Sequence, residues 1–187
     1  MKKLGVFISG NGSNLEAIIK ATKEGRINGE VALVIANRKD AYGLKRAEKY
    51  GIPTLVVSLG NCGAKEAYEE VILKALKEKG IKWLILAGYL LLVGPTLLNA
   101  YKGKIINIHP SLLPAYKGLN SIMRAYEAGE KTIGVTVHFV DEGMDTGPII
   151  KQGSFIVPEN SSLEVVEAMV HDLEHRIYVE VLDGGKS

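Results

Sequence analysis

The chain has 187 residues, 47% hydrophobic and 24% charged, a balance that fits one soluble globular domain with a sizeable core. Its 23 basic and 21 acidic residues are dispersed and leave a net charge of +2, so no basic cluster marks a nucleic-acid surface. The lone Cys62 excludes an internal disulfide, no stretch reaches membrane-spanning length, and the N-terminal apolar run stops at Ser9-Gly10-Asn11-Gly12 without a cleavage pattern. The expectation is a cytoplasmic protein with small-molecule partners.

Short apolar runs at 4–9, 31–36, 54–57, 83–87 and 104–108 read as strands, and the patterns at 14–23, 42–50, 64–79 and 95–101 read as helices between them. This alternation predicts an α/β fold: an open, mostly parallel, doubly wound sheet of Rossmann-like type with right-handed crossovers. From Thr132 the pattern changes. Ile133, Val135, Val137 and Phe139 alternate with Gly134, Thr136 and His138, as in a half-buried strand. Ile149-Ile150 and Phe155-Ile156-Val157 follow a loop rich in Gly and Asp, which predicts an antiparallel C-terminal extension. A last helix over 161–182 presents Val165, Val166, Met169, Leu173, Ile177 and Leu182 as its apolar residues. Residues 1–187 form one domain in this reading, with a phosphate-binding half over 1–103 and a catalytic, co-substrate-binding half over 104–187. The edge where the strands ending at Ser9, Ala87 and His109 come together is the default ligand crevice.

The first strand runs into Gly10-Asn11-Gly12-Ser13-Asn14-Leu15, a turn that aims first-turn N–H groups at whatever sits above them. Three readings stand: a mononucleotide phosphate site, a structural turn, or an NADP-type site using Arg38. The dinucleotide fingerprint lacks its third small residue at Leu15 and its acidic residue after the second strand, where Ala36-Asn37-Arg38 stand. Leu90-Leu91-Leu92-Val93 by itself reads as core.

In Ile105-Ile106-Asn107-Ile108-His109-Pro110 the side chains alternate, so Asn107 and His109 share one face while Ile106 and Ile108 share the other. Pro110 has no N–H for a ladder, which makes His109 the last strand residue. An amide donor beside an imidazole at a strand end can stabilise an oxyanion and move a proton. The competing reading is a polar cap on the Pro-rich turn. In Asp141-Glu142-Gly143-Met144-Asp145-Thr146-Gly147-Pro148, Asp141 and Glu142 read as a solvated turn, whereas Asp145 sits where a carboxylate can face His109. His138 reads as a solvent-facing or internally satisfied strand residue. His171-Asp172-Leu173-Glu174-His175 carries a zinc-peptidase spacing without a suitable third ligand downstream, so His171 is expected exposed and Glu174 near a ligand, with no metal.

Three blocks, Ile8 through Leu15, Asn107 through Pro114, and Gly134 through Asp141 continuing to Asp145-Thr146-Gly147-Pro148, closely resemble the glycinamide ribonucleotide (phosphoribosylglycinamide) formyltransferases of purine synthesis. The resemblance covers essentially the whole chain in the same order. It implies transfer of a formyl group from 10-formyltetrahydrofolate, the co-substrate, to the amino group of glycinamide ribonucleotide. It implies Asn107, His109 and Asp145 as the catalytic trio, Gly12, Ser13 and Asn14 on the substrate phosphate, and Glu174 on its sugar. Folate contacts are implied for Lys65, Leu90, Leu91, Leu92, Val93 and Asn107. Leu91 stands where the family usually has a basic residue, Asn120 where it commonly has His, and Lys65 where Arg is frequent. A monomer or weak homodimer is expected. The alternatives are a hydrolase that gives the formyl group to water, and a non-catalytic module binding a mononucleotide or NADP.

Overall fold

A computed structural model describes residues 1–184. Among the described residues, seven strands, β1 (Lys2–Ile8), β2 (Gly29–Ala36), β3 (Thr54–Val56), β4 (Trp83–Leu86), β5 (Ile105–His109), β6 (Thr132–Phe139) and β7 (Ile149–Ile156), form one sheet. Seven helices accompany them among the same described residues: α1 (Ser13–Lys23), α2 (Gly43–Lys49), α3 (Leu59–Cys62), α4 (Lys65–Glu78), α5 (Pro95–Ala100), α6 (Ser121–Glu127) and α7 (Leu163–Gly184). The strand order is β3-β2-β1-β4-β5-β6-β7. The first five strands pair in parallel, and β6 and β7 add antiparallel, so the predicted sheet and its extension are both present.

Side-chain alternation divides the interior into two cores. Leu4, Val6 and Ile8 of β1, Ile85 of β4, and Ile106 and Ile108 of β5 pack with residues of α1, α2, α6 and α7. Phe7, Leu84, Leu86 and Ile105, of opposite parity, pack with Tyr68, Ile72 and Leu76 of α4 and Leu97 of α5. Asn107 and His109 therefore share the parity of the α4–α5 face, but lie beyond that core at the strand end. The buried Glu69 of α4 accepts backbone hydrogen bonds from Gly94 (2.7 Å) and Leu97 (3.2 Å), which satisfies the carboxylate and the first turn of α5 together.

The structure differs from the sequence reading in four places. The helices α3 and α6 were not anticipated; at four and seven residues they are too short to display a helical period. The two short strands expected around Gly153 are one continuous strand, β7. A Cβ at Gly153 would lie 2.4 Å from Ile177 Cδ1, so this glycine admits α7 against the sheet instead of breaking it. Val165 is exposed, and the buried stripe of α7 runs through Val166, Val170, Leu173 and Ile177. The polar face of β6 is covered, since Thr136 is 0% and His138 2% exposed. The segment after Pro110 folds over it: Leu113 N donates to Thr136 Oγ1 (3.0 Å), and that hydroxyl donates to Ser111 O (2.7 Å).

Candidate active site

At the C-terminal ends of β1, β4 and β5 the chain is stitched to itself. Ser9 N donates to Gly88 O (3.1 Å), and Leu90 N donates to Ser9 Oγ (2.9 Å), which fixes the segment after β4 beside the glycine loop. An adjoining cleft of about 410 Å³ is lined by Tyr89 through Val93, by Asn107 and His109, and by Asn120, His138, Met144 and Asp145. The structure thus brings Leu90–Val93 and all three expected catalytic residues to one cavity. Leu90 and Leu92 are exposed at this cleft wall, whereas Val93 is buried in the α4–α5 core and Leu91 packs against it. Lys65, the first residue of α4, is not among the lining residues.

Asp145 approaches His109 from the β6–β7 loop, in a left-handed backbone conformation (φ 55°) that Asp tolerates better than most residues. Its Oδ2 lies 3.4 Å from His109 Nδ1 and accepts a hydrogen bond from Gly118 N (3.0 Å). On the other side of the ring, His109 Nε2 donates to Tyr116 O (2.8 Å). Both imidazole nitrogens therefore face oxygen acceptors, and a protonated ring donates to each. The loop carrying Asp145 is held by Asp141, whose Oδ1 accepts from Gly143 N (2.9 Å) and Thr146 Oγ1 (2.6 Å). The Thr146 hydroxyl, then the Gly143 N–H, hold the Asp141 carboxyl below the usual carboxylate range. Asp141 is thus the turn's internal tie, more than the solvated residue its sequence context implied.

His138 belongs to this cluster, contrary to the solvent-facing half of its expectation. Register pairs it directly with Asn107, so the two share a face. Its Nε2 is 3.2 Å from Asn107 Nδ2 and 3.8 Å from Asp145 Oδ1. The cross-strand register was the missing signal, because it depends on how β6 docks on β5.

In the glycine loop, Gly12 precedes α1 in the left-handed region (φ 78°), and a Cβ there would lie 2.6 Å from Gly43 Cα. Gly43 N donates to Gly10 O (3.0 Å), and Arg46 of α2 donates to Asn11 O (2.8 Å), Asn11 Oδ1 (2.6 Å) and Glu16 Oε2 (2.7 Å). Sequence reasoning missed this clamp, which joins α2 to the loop through side chains. No side chain caps α1, so its first-turn N–H groups at Ser13 and Asn14 retain the capacity to meet an anion. The buried Asn14 Oδ1 has no hydrogen-bond partner within the protein. Arg38, the cation of the NADP reading, is exposed and pairs with Asp40 through two bonds of 2.8 and 3.0 Å.

On α7, Glu174 is 6% exposed and accepts from His171 Nδ1 at 2.8 Å. That hydrogen bond raises the pKa of His171, whereas burial lowers that of His175, so the two histidines of the zinc-like spacing sit in opposed environments. Among the described residues no group of three His, Cys, Asp or Glu is arranged to hold a metal ion, and no helix is long and apolar enough to cross a membrane.

Comparison with known proteins is consistent with this geometry. The chain is 46% identical over 182 residues to the phosphoribosylglycinamide formyltransferase of Bacillus subtilis (strain 168), covering 97% of this chain and 93% of that one. The crystal structure of phosphoribosylglycinamide formyltransferase from Bacillus halodurans matches with a TM-score of 0.96 at 46% identity, covering 100% of this chain and 96% of that chain. That of glycinamide ribonucleotide transformylase 1 from Geobacillus kaustophilus matches with a TM-score of 0.95 at 48% identity, covering 98% and 97%. Residues 2–182 match the model of the formyl transferase family, and the chain belongs to that family.

Proposed function

We propose that this protein transfers the formyl group of 10-formyltetrahydrofolate to the amino group of glycinamide ribonucleotide. The observation that carries the reading is the convergence of Asn107, His109 and Asp145 on one largely apolar cleft, with the uncapped N-terminus of α1 following the neighbouring strand β1. The names of the relatives supply the substrate class.

The amine nitrogen attacks the formyl carbon, and the carbonyl electron pair moves to oxygen. Asn107 and protonated His109 donate hydrogen bonds to that oxyanion, where preorganised donors act most strongly on the transition state. The carbon–N10 bond then breaks, N10 takes a proton from His109 directly or through water, and the attacking nitrogen loses one; formylated nucleotide and tetrahydrofolate leave. Reaching the substrate requires His109 Nε2 to exchange its bond to Tyr116 O, a change worth about 1 kcal/mol. Asp145 orients the ring by facing its Nδ1 with a carboxylate oxygen. The nucleotide phosphate meets Gly12, Ser13 and Asn14, its sugar meets Glu174, and the pterin lies against Leu90–Val93.

One assay tests the reading. Purified protein, glycinamide ribonucleotide and a 10-formyl folate should yield deformylated folate and formylated nucleotide in equal amounts. Folate deformylated at full rate without the nucleotide would make the protein a hydrolase, and no turnover with either would leave it a binding module.

A further inference from the structure

His138 is buried against the reacting end of the cleft and has no part in the mechanism so far. Its hydrogen bonds define its state. Nδ1 lies 2.8 Å from the carbonyl oxygen of Phe139, which offers only lone pairs, so Nδ1 carries a proton. In the neutral ring Nε2 is then an acceptor, and the Asn107 atom 3.2 Å away must be the amide nitrogen donating to it. This chain of donors settles which way the Asn107 amide faces. An acceptor at Nε2 also offers no proton to Asp145 Oδ1, 3.8 Å away, so the carboxylate is left to His109 and Gly118 N–H.

Building on the oxyanion role proposed for Asn107, we propose that His138 is a positioning residue. As the Nδ1-protonated neutral tautomer, it holds the Asn107 amide with its nitrogen in place, leaving the second N–H for the reacting oxygen, and it cedes Asp145 to His109. A proton on Nε2 would oppose the Asn107 N–H, force the amide to swap nitrogen for oxygen, and compete for Asp145.

Two measurements test this. Long-range nitrogen–proton NMR correlation on the wild-type protein labelled at histidine nitrogens should show His138 protonated at Nδ1 and bare at Nε2. A protonated Nε2 overturns the proposal, whatever the activity. In kinetics, His138→Leu should lower kcat about ten- to a hundredfold with KM for the nucleotide little changed, as expected when a reacting group is misplaced. His138→Gln, which keeps an acceptor near the Nε2 position, should recover most of that loss. Because the effect acts through Asn107, His138→Leu should cost little more in an Asn107→Ala background. Equal losses in both backgrounds would show that His138 acts independently of Asn107 and overturn the proposal. A normal kcat for Asn107→Ala would instead remove the oxyanion role, and the positioning role with it, while the NMR tautomer still stood.

Discussion

Asp145 Oδ2 lies 3.4 Å from His109 Nδ1 while the opposite ring nitrogen donates to Tyr116 O, so His109 is held between two oxygen acceptors. Asp145→Asn keeps the shape of the side chain and removes its charge. If the carboxylate orients the ring for the proposed reaction, turnover should fall severely while both ligands still bind. Unchanged turnover would break the pairing while leaving the reaction in place.

In the proposed mechanism, His109→Ala removes a donor whose partner charge exists only in the transition state. The loss should fall on kcat, on the order of a hundredfold or more, with both ligands still bound. Calorimetry alongside steady-state kinetics checks this; near-normal turnover would reduce Asn107 and His109 to a strand cap.

The parity of β5 was readable because Ile106 and Ile108 are apolar and a strand alternates without exception over so short a run. The same logic correctly separated His138 from Val137, yet misjudged where that face would lie. Solvent exposure of β6 depends on the segment after Pro110 folding over Thr136, and no local pattern encodes that contact. The contact of Asp145 with His109 is not legible in the sequence, since a loop carboxylate can point anywhere until its backbone is known. The clamp from Arg46 to Asn11 joins residues brought together only when α2 docks against the glycine loop.

Gly12 combines a left-handed backbone with a close approach to Gly43. Gly12→Val should therefore displace the loop from α2 and, if the loop holds the phosphate as proposed, abolish nucleotide binding while the proposed folate binding at Leu90–Val93 persists. Titrating the wild-type protein with the dephosphorylated nucleoside completes the test: equal affinity for nucleoside and nucleotide would mean the loop is only a turn.

Tyr178 of α7 is buried and its hydroxyl donates to Leu86 O (2.7 Å) and Ile106 O (3.1 Å), tying the helix to adjacent strands β4 and β5. Burial raises its pKa well above the ordinary tyrosine value, so it remains a neutral donor. Tyr178→Phe preserves the ring and removes both bonds. Urea unfolding should show a loss of about 1–2 kcal/mol, because the two carbonyls lose an auxiliary partner in a dry site. No change in midpoint would mean the tie between α7 and the strand ends contributes nothing net.

His171 donates from Nδ1 to the buried Glu174 carboxylate, and that bond is the main reason its pKa lies above the ordinary histidine value of about 6.5. The folded state therefore holds the proton more tightly than the unfolded chain. The sign of the linkage follows: the contribution is fully present below the unfolded pKa and is lost as pH rises through the folded one. His171→Gln retains a donor for Glu174 but cannot titrate. The wild-type advantage over this variant in denaturant unfolding should be largest below about pH 6.5 and should shrink toward alkaline pH. The side chain is 50% exposed, so solvent screening keeps the effect modest. An advantage that grew with pH would reverse the assignment and show that burial, not the Glu174 bond, dominates the state of His171.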